Sequence, residues 1–288
     1  MTPSARLRLG TSLLAAALTL GACVGSAGEP VASKPPRAPT PANPAPTPTS
    51  TPAESTEGLL LASSFEEPVC GLWTGQPEQR GCEFGVQGGA EAGPYGSRTG
   101  DWAARIQRMT PSHQGVIANA PLADGHGFIG VAHRIPAIPP GAIPAFPGHI
   151  QLEQLSPTDG ILPGWPLEVR LYPDRRLGLA LFQERHEVAI VDWRVPVDEW
   201  FYVVVEIANG ARAQQRMWLY GPRGSLQAKV SIRLNTRQRW PHATRTAHKI
   251  GGNTSTLVPM YTYADDWYIS ETFLGPVRID EQGSPSSP

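Results

Sequence analysis

His149-Ile150-Gln151 sets an imidazole and a primary amide two positions apart, so an extended strand turns both to one face. Arg170, Tyr172 and Tyr261 add a guanidinium and two phenols elsewhere in the chain. These are the groups that proton abstraction beside a carboxylate requires. Gln151 or Arg170 would neutralise the carboxylate, His149 would take the proton, and Tyr172 or Tyr261 would protonate the leaving oxygen. The same types also suit recognition without reaction. By strict alternation Glu153 joins His149 and Gln151, opposite Ile150, Leu152 and Gln154. Glu168 joins Arg170 and Tyr172, and Arg216, Trp218 and Tyr220 form a third outward row. Aromatic rings stack on the apolar faces of sugars while polar groups bind their hydroxyls. Trp240 is a further ring able to act as such a platform. Hydrolysis of glycosidic bonds fits poorly, because it needs two carboxylates held about 5–9 Å apart. Glu184-Arg185-His186-Glu187 and Asp198-Glu199 lack the spacing that would set such a pair on one strand face. No zinc spacing, phosphate-cradling glycine loop or nucleophile elbow occurs.

Strands have to carry these residues. Leu167, Val169 and Leu171 alternate with Glu168, Arg170 and Tyr172, and Pro173-Asp174 turns the chain into Leu177, Leu179 and Leu181. Phe201, Val203, Val205 and Ile207 share a face, and Asn209-Gly210 supplies a hairpin signal. The return strand covers 215–220, and Gly221-Pro222-Arg223-Gly224 leads into 226–234. Leu59 to Glu66 reads as a first strand and Ala103 to Gln107 as a short second one. Ala137 to Pro147 reads as a rigid Pro-rich loop, and the polar stretch 235–259 as a loop over one end of a sheet. No long helical periodicity follows residue 58. Strands recurring every ten to fifteen residues or so, with turn chemistry between them, predict an all-β, antiparallel two-sheet sandwich.

Composition divides the chain. Arg6 and Arg8 precede an apolar run from Leu9 to Leu20, the length of an export-signal core and short of the ~20 residues that span a bilayer. Leu20-Gly21-Ala22-Cys23 closes that run and resembles the lipobox of bacterial lipoproteins. The resemblance implies that residues 1–22 are a signal peptide and that Cys23 is lipidated. It also implies export and attachment to the outer face of a bacterial membrane, through the lipid alone. Residues 23–57, rich in Pro, Ala and Thr, bury too little apolar surface to offset their chain entropy and read as a disordered tether. All eight tryptophans lie beyond it. Residues 58–280 suffice for one β domain, with 281–288 as a disordered tail. A net charge of −1 with mixed signs leaves no footprint for nucleic acid. Cys70 and Cys82, with eleven residues between them in an exported chain, read as one disulfide.

Three signatures then occur in order. Phe65-Glu66 ends the first strand, Gly96-Ser97-Arg98-Thr99-Gly100-Asp101-Trp102-Ala103 precedes the second, and Tyr263-Ala264-Asp265-Asp266-Trp267-Tyr268-Ile269-Ser270 lies near the end. Over about residues 59–280 this order resembles the concanavalin A-like jelly roll of carbohydrate-binding modules, laminin-G-like domains and some polysaccharide lyases. The resemblance implies paired first and last strands, one sheet facing solvent as a glycan surface, and a structural calcium at Glu66, Asp101 and Asp266, with Glu67 and Asp265 beside them. It implies no catalytic cofactor. Jelly-roll lyases use Gln, Asn or Arg with His and Tyr, the types found at His149, Gln151, Arg170, Tyr172 and Tyr261. The alginate-lyase order Gln-Ile-His is reversed here, however, and its Arg-rich and Tyr-Lys motifs are absent. The expectation is a monomeric, surface-tethered, non-catalytic module that binds an oligosaccharide or polysaccharide. A lyase cleaving uronic-acid chains by β-elimination is the alternative, and a structural envelope role the third reading.

Overall fold

The computed structural model describes residues 57–66, 84–87, 90–108, 114–122, 126–145, 147–158, 167–181, 188–210, 213–234, 245–252 and 256–288. The expectations for the leader, Cys23, the tether, Glu67, the Cys70–Cys82 disulfide and Trp240 lie outside these residues. Within them the strands are β1 (Leu59–Ser63), β2 (Phe84–Gln87), β3 (Ala90–Gly93), β4 (Ala103–Gln107), β5 (Gln114–Pro121), β6 (Gly127–Arg134), β7 (Ile150–Thr158), β8 (Leu167–Leu171) and β9 (Arg176–Leu181). They continue with β10 (Val188–Arg194), β11 (Trp200–Ile207), β12 (Ala213–Tyr220), β13 (Leu226–Leu234), β14 (Arg245–Gly252), β15 (Tyr261–Ser270), β16 (Arg278–Ile279) and β17 (Pro285–Ser286).

Two antiparallel sheets make the sandwich that the alternation predicts. Sheet A runs β13-β12-β11-β6-β15-β4-β3, with β1 also on β15, and sheet B runs β10-β9-β8-β7-β14-β5-β2. First and last long strands pair, Leu61 with Ile269 and Ser63 with Trp267. Between the sheets lie Leu167, Val169 and Leu171 of β8, Leu177, Leu179 and Leu181 of β9, and Phe201, Val203, Val205 and Ile207 of β11. Each fully buried residue of this kind contributes about 1.5–3 kcal/mol relative to exposure.

Sheet A is also apolar on its outer side, where Ala132, Tyr202, Val204, Tyr220 and Tyr268 cluster with Val277 and Ile279. The last two residues belong to the C-terminal segment, so the end of the chain lies across this sheet as a strap. The expected disordered tail is therefore partly ordered: β17 pairs with β16. Asp280 makes the turn, its Oδ1 accepting from the amides of Gln282 at 3.0 Å and Ser284 at 2.7 Å. A second difference concerns residues 235–259, which hold not only loop but β14, paired on both sides in sheet B.

Candidate functional site

In an antiparallel pair, directly opposed residues point to the same side of the sheet. Leu155 opposes Leu167 and Ile150 opposes Leu171, so these four face the core. Gln151 opposes Arg170, and Gln154 opposes both Glu168 of β8 and Lys249 of β14, so these five face away from it. Gln151 and Gln154 are three apart and share a face only because the register of β7 shifts between Gln151 and Glu153. The extra residue of this bulge turns both Leu152 and Glu153 inward. Glu153 thus leaves the face it was expected to share with His149 and Gln151, and Gln154 takes its place.

The outward cluster is hydrogen-bonded around Glu168. Gln151 Nε2 donates to Glu168 Oε1, and Arg170 Nε donates to Glu168 Oε2 at 2.8 Å. Arg170 Nη2 donates to Leu181 O at 3.0 Å. His149 Nε2 stands 3.8 Å from Glu168 Oε2, beyond hydrogen-bond length, and the His149 and Tyr172 rings lie 6.0 Å apart. Two glycines make room. A Cβ at Gly252 would overlap Gln151, and one at Gly178 would come within 3.0 Å of the Tyr172 ring. Glu168, Gln154, Lys249 and Gln151 are at most 3% exposed, while His149 and Arg170 reach 7% and 9% and Tyr172 is half-buried. Solvent therefore meets the cluster at His149, Arg170 and Tyr172.

Burial sets the electrostatics. It lowers the His149 pKa to about 4, with the Arg170 charge acting in the same direction and the Pro147 carbonyl against it. His149 is accordingly neutral near pH 7. Because a carbonyl only accepts, Nδ1 carries the hydrogen donated to Pro147 O at 3.2 Å, and Nε2 keeps its lone pair. Burial raises the pKa of Glu168 against the opposing pull of Arg170 and Gln151, and burial raises that of Tyr172. Lys249 falls to about 8 through burial and the Arg108 charge. Among the described residues neither polar atom of the Gln154 amide has a hydrogen-bond partner. Gln154 and Lys249 belong to this face and were missed in the sequence, where Gln154 alternates to the wrong side and β14 reads as loop.

Behind the face, between the sheets, lies a second polar group. Glu153 Oε1 meets His133 Nε2 at 2.8 Å and Oε2 meets His248 Nε2 at 2.9 Å, all three residues being fully buried. An ionised carboxylate only accepts, so each imidazole donates its Nε2–H. Burial alone would raise the Glu153 pKa, but the two imidazoles bring it down to about 2. Beside this group, Arg108 Nη1 donates to Gln151 O at 2.9 Å and Nε to Thr262 Oγ1 at 2.8 Å. Burial lowers the Arg108 pKa to about 9.

Other expected site residues are not brought here. Trp218 and Tyr220 stand on the outer side of sheet A, the opposite flank of the sandwich, where Trp218 lies 5.0 Å from the Phe273 ring. Tyr261 is on β15 of sheet A with the Arg105 guanidinium 4.8 Å from its ring centre. Alternation told which side of each strand these rings take but not which sheet the strand enters.

The carboxylates of the calcium expectation also serve other partners. Asp101 is exposed, and Glu66 Oε1 accepts from the Trp102 amide at 2.8 Å. Asp266 Oδ2 accepts from Arg98 Nη1 and from Thr99 Oγ1 at 3.1 Å, and its Oδ1 from the Ile279 amide at 2.7 Å. Arg98 Nη1 also donates to Val277 O. The Arg98 guanidinium thus pairs with Asp266 in this structure. Among the described residues no three His, Cys, Asp or Glu side chains gather as metal ligands.

No protein-family model matches the chain, and no curated protein matches it. Solved structures do. The chain is similar to an endo-β-1,4-glucuronan lyase from the fungus Trichoderma reesei, with TM-score 0.40 and 14% identity over 68% of this chain and 91% of that one. It is similar to the cellulose induced protein Cip1, with TM-score 0.45 and 14% identity over 75% of this chain and 99% of the other. It is also similar to lectin II from Ulex europaeus, with TM-score 0.36 and 12% identity over 64% and 93% of the two chains. The likeness concerns the fold alone and assigns no role to any side chain.

Proposed function

We propose that the domain binds a polysaccharide along the outer face of sheet B, at the edge where His149, Arg170 and Tyr172 reach solvent. One observation carries this reading: on the side of sheet B facing away from the core, His149, Gln151, Glu168, Arg170 and Tyr172 lie together, with Gln151 and Arg170 bonded to Glu168. An imidazole lone pair, a guanidinium edge and a phenol ring together offer an acceptor, a donor and a stacking surface, which is the mixture a sugar ring takes. The export signal and lipidation at Cys23 form part of the proposal and rest on the leader sequence alone. They would hold the binder at the cell surface on the tether of residues 23–57.

β-Elimination on uronic-acid chains is the second reading, and the neutral His149 with its free Nε2 favours it as a base beside Tyr172. Binding ranks first because both neutralising groups are engaged: Gln151 and Arg170 already serve Glu168. A substrate carboxylate would have to compete with a built-in one. Incubation with polyglucuronate, alginate and a neutral β-glucan separates the readings. Calorimetric binding without near-ultraviolet absorbance from unsaturated uronate is the expected result. Unsaturated product that disappears in His149→Ala would replace binding by elimination, and absence of both heat and product would remove the proposal.

A further inference from the structure

We propose that the buried His133–Glu153–His248 clamp is a positioning device that holds the bulge of β7 and so aims Gln151 and Gln154 onto the outer face of sheet B. The inference rests on the reading of that face as the binding surface. Strict alternation along β7 would put Gln151 and Glu153 outside together and send Gln154 into the core. The bulge inverts this, at the cost of pointing a carboxylate between the sheets. An isolated carboxylate there would be strongly disfavoured, and the natural escape is rotation to the outer side. Two donors remove that pressure. His133 comes from β6 of the opposite sheet and His248 from the neighbouring β14, so Glu153 is tied across the sandwich and along its own sheet. The imidazoles are themselves wedged by aromatic rings, His133 at 5.9 Å from Phe201 and His248 at 5.4 Å from Trp267.

The other end of the bulge is held as well. Gln151 O accepts from Arg108, whose side chain bonds Thr262 of sheet A in the same reach. Carbonyl and carboxylate on either side of Leu152 are thereby fixed to groups outside β7. What the arrangement determines is the outward spacing, with Gln151 opposite Arg170 and Gln154 opposite Glu168. The Glu153 carboxylate is turned inward to His133 and His248, so it acts on the outer cluster through the backbone of β7 and is a positioning residue, not a binding one.

The test reads His149, which feels the Arg170 charge and lies 3.8 Å from Glu168, itself bonded to Gln151, by proton NMR of its imidazole across pH, assigned with His149→Gln. In the wild type the midpoint should lie near 4. Glu153→Gln keeps one donor and one acceptor for the two imidazoles and should leave the midpoint in place. Glu153→Ala releases the bulge, and the midpoint should rise by about one unit toward the free value. If Glu153→Ala does not fold, His248→Leu, which deletes a single donor, is read in the same way. A midpoint unchanged in a folded Glu153→Ala or His248→Leu protein, with only thermal stability reduced, overturns the inference. Titration with polyglucuronate runs in parallel: the inference expects Glu153→Ala to weaken any wild-type binding about tenfold and Glu153→Gln to spare it. If the wild type binds nothing while His149 still responds to Glu153→Ala, the polysaccharide reading fails and the positioning role stands.

Discussion

Each outer face of the sandwich has a buried stretch, and the two are buried by opposite chemistry. Sheet A covers Tyr202, Val204 and Tyr268 with Val277 and Ile279 of the chain's own end, an arrangement that burial of apolar surface rewards directly. Sheet B covers Gln151, Gln154, Glu168 and Lys249, for which burial is a cost that hydrogen bonds offset at best. The apolar cover of the first face is explained by stability. The second is not, and polar burial that stability does not explain is where a site is to be sought.

The contrast is sharpest at the strap. Arg98→Met would leave Asp266 inside with its cation removed, and should cost about 3–5 kcal/mol in urea denaturation. Ile279→Ala opens a cavity under the strap and should cost about 2–4 kcal/mol. In both variants, saccharide affinity measured below the transition should stay at the wild-type value, since the proposed binding surface lies on sheet B. A parallel loss of affinity would show the faces to be coupled and break the comparison.

Acid should act on sheet B and on the layer behind it. The folded pKa values of His149, about 4, and Glu153, about 2, lie below the unfolded values of ~6.5 and ~4.3. Between each pair the unfolded chain holds more protons, so stability present above about pH 6.5 is lost as pH falls, first through the His149 window and then through that of Glu153. The His149 arm amounts to about 2–3 kcal/mol, and His149→Gln should flatten the melting temperature between pH 6.5 and 4. An unaltered slope in that variant would assign the acid sensitivity elsewhere.

Smaller effects complete the series. Tyr172→Ala should weaken polysaccharide binding about tenfold, some 1.4 kcal/mol, while shifting the melting temperature by only a few degrees. Glu91→Gln removes the exposed partner of Arg105 and should change stability by less than about 0.5 kcal/mol, with no effect on binding.

Much of the sandwich could be read along the chain because β8, β9 and β11 keep an unbroken apolar row toward the core. The site was legible only where that regularity held. Glu168, Arg170 and Tyr172 stand where alternation puts them, while one extra residue in β7 reverses the assignments of Glu153 and Gln154 after Leu152. A period-two pattern carries no mark of such an insertion. β14 escaped notice for a different reason: Thr246 and His248 point inward as polar residues, so the strand lacks the apolar row that announces its neighbours. The strap was hidden because Val277 and Ile279 are only two apolar residues in a Gly-, Ser- and Pro-rich end, and their partners are far away in the chain.

That separation has a consequence for how the protein is made. Ser270 Oγ donates to Gly58 O at 3.0 Å across 212 residues, and the whole of β1 finds its neighbours on β15. The first described strand to leave the ribosome is thus joined by the last long one. Closing so large a loop is slow, and in the interval the edge of β1 is open to foreign strands. Assembly of this domain is therefore timed by its final thirty residues, and chains interrupted before residue 261 should be caught by chaperones or proteases instead of maturing.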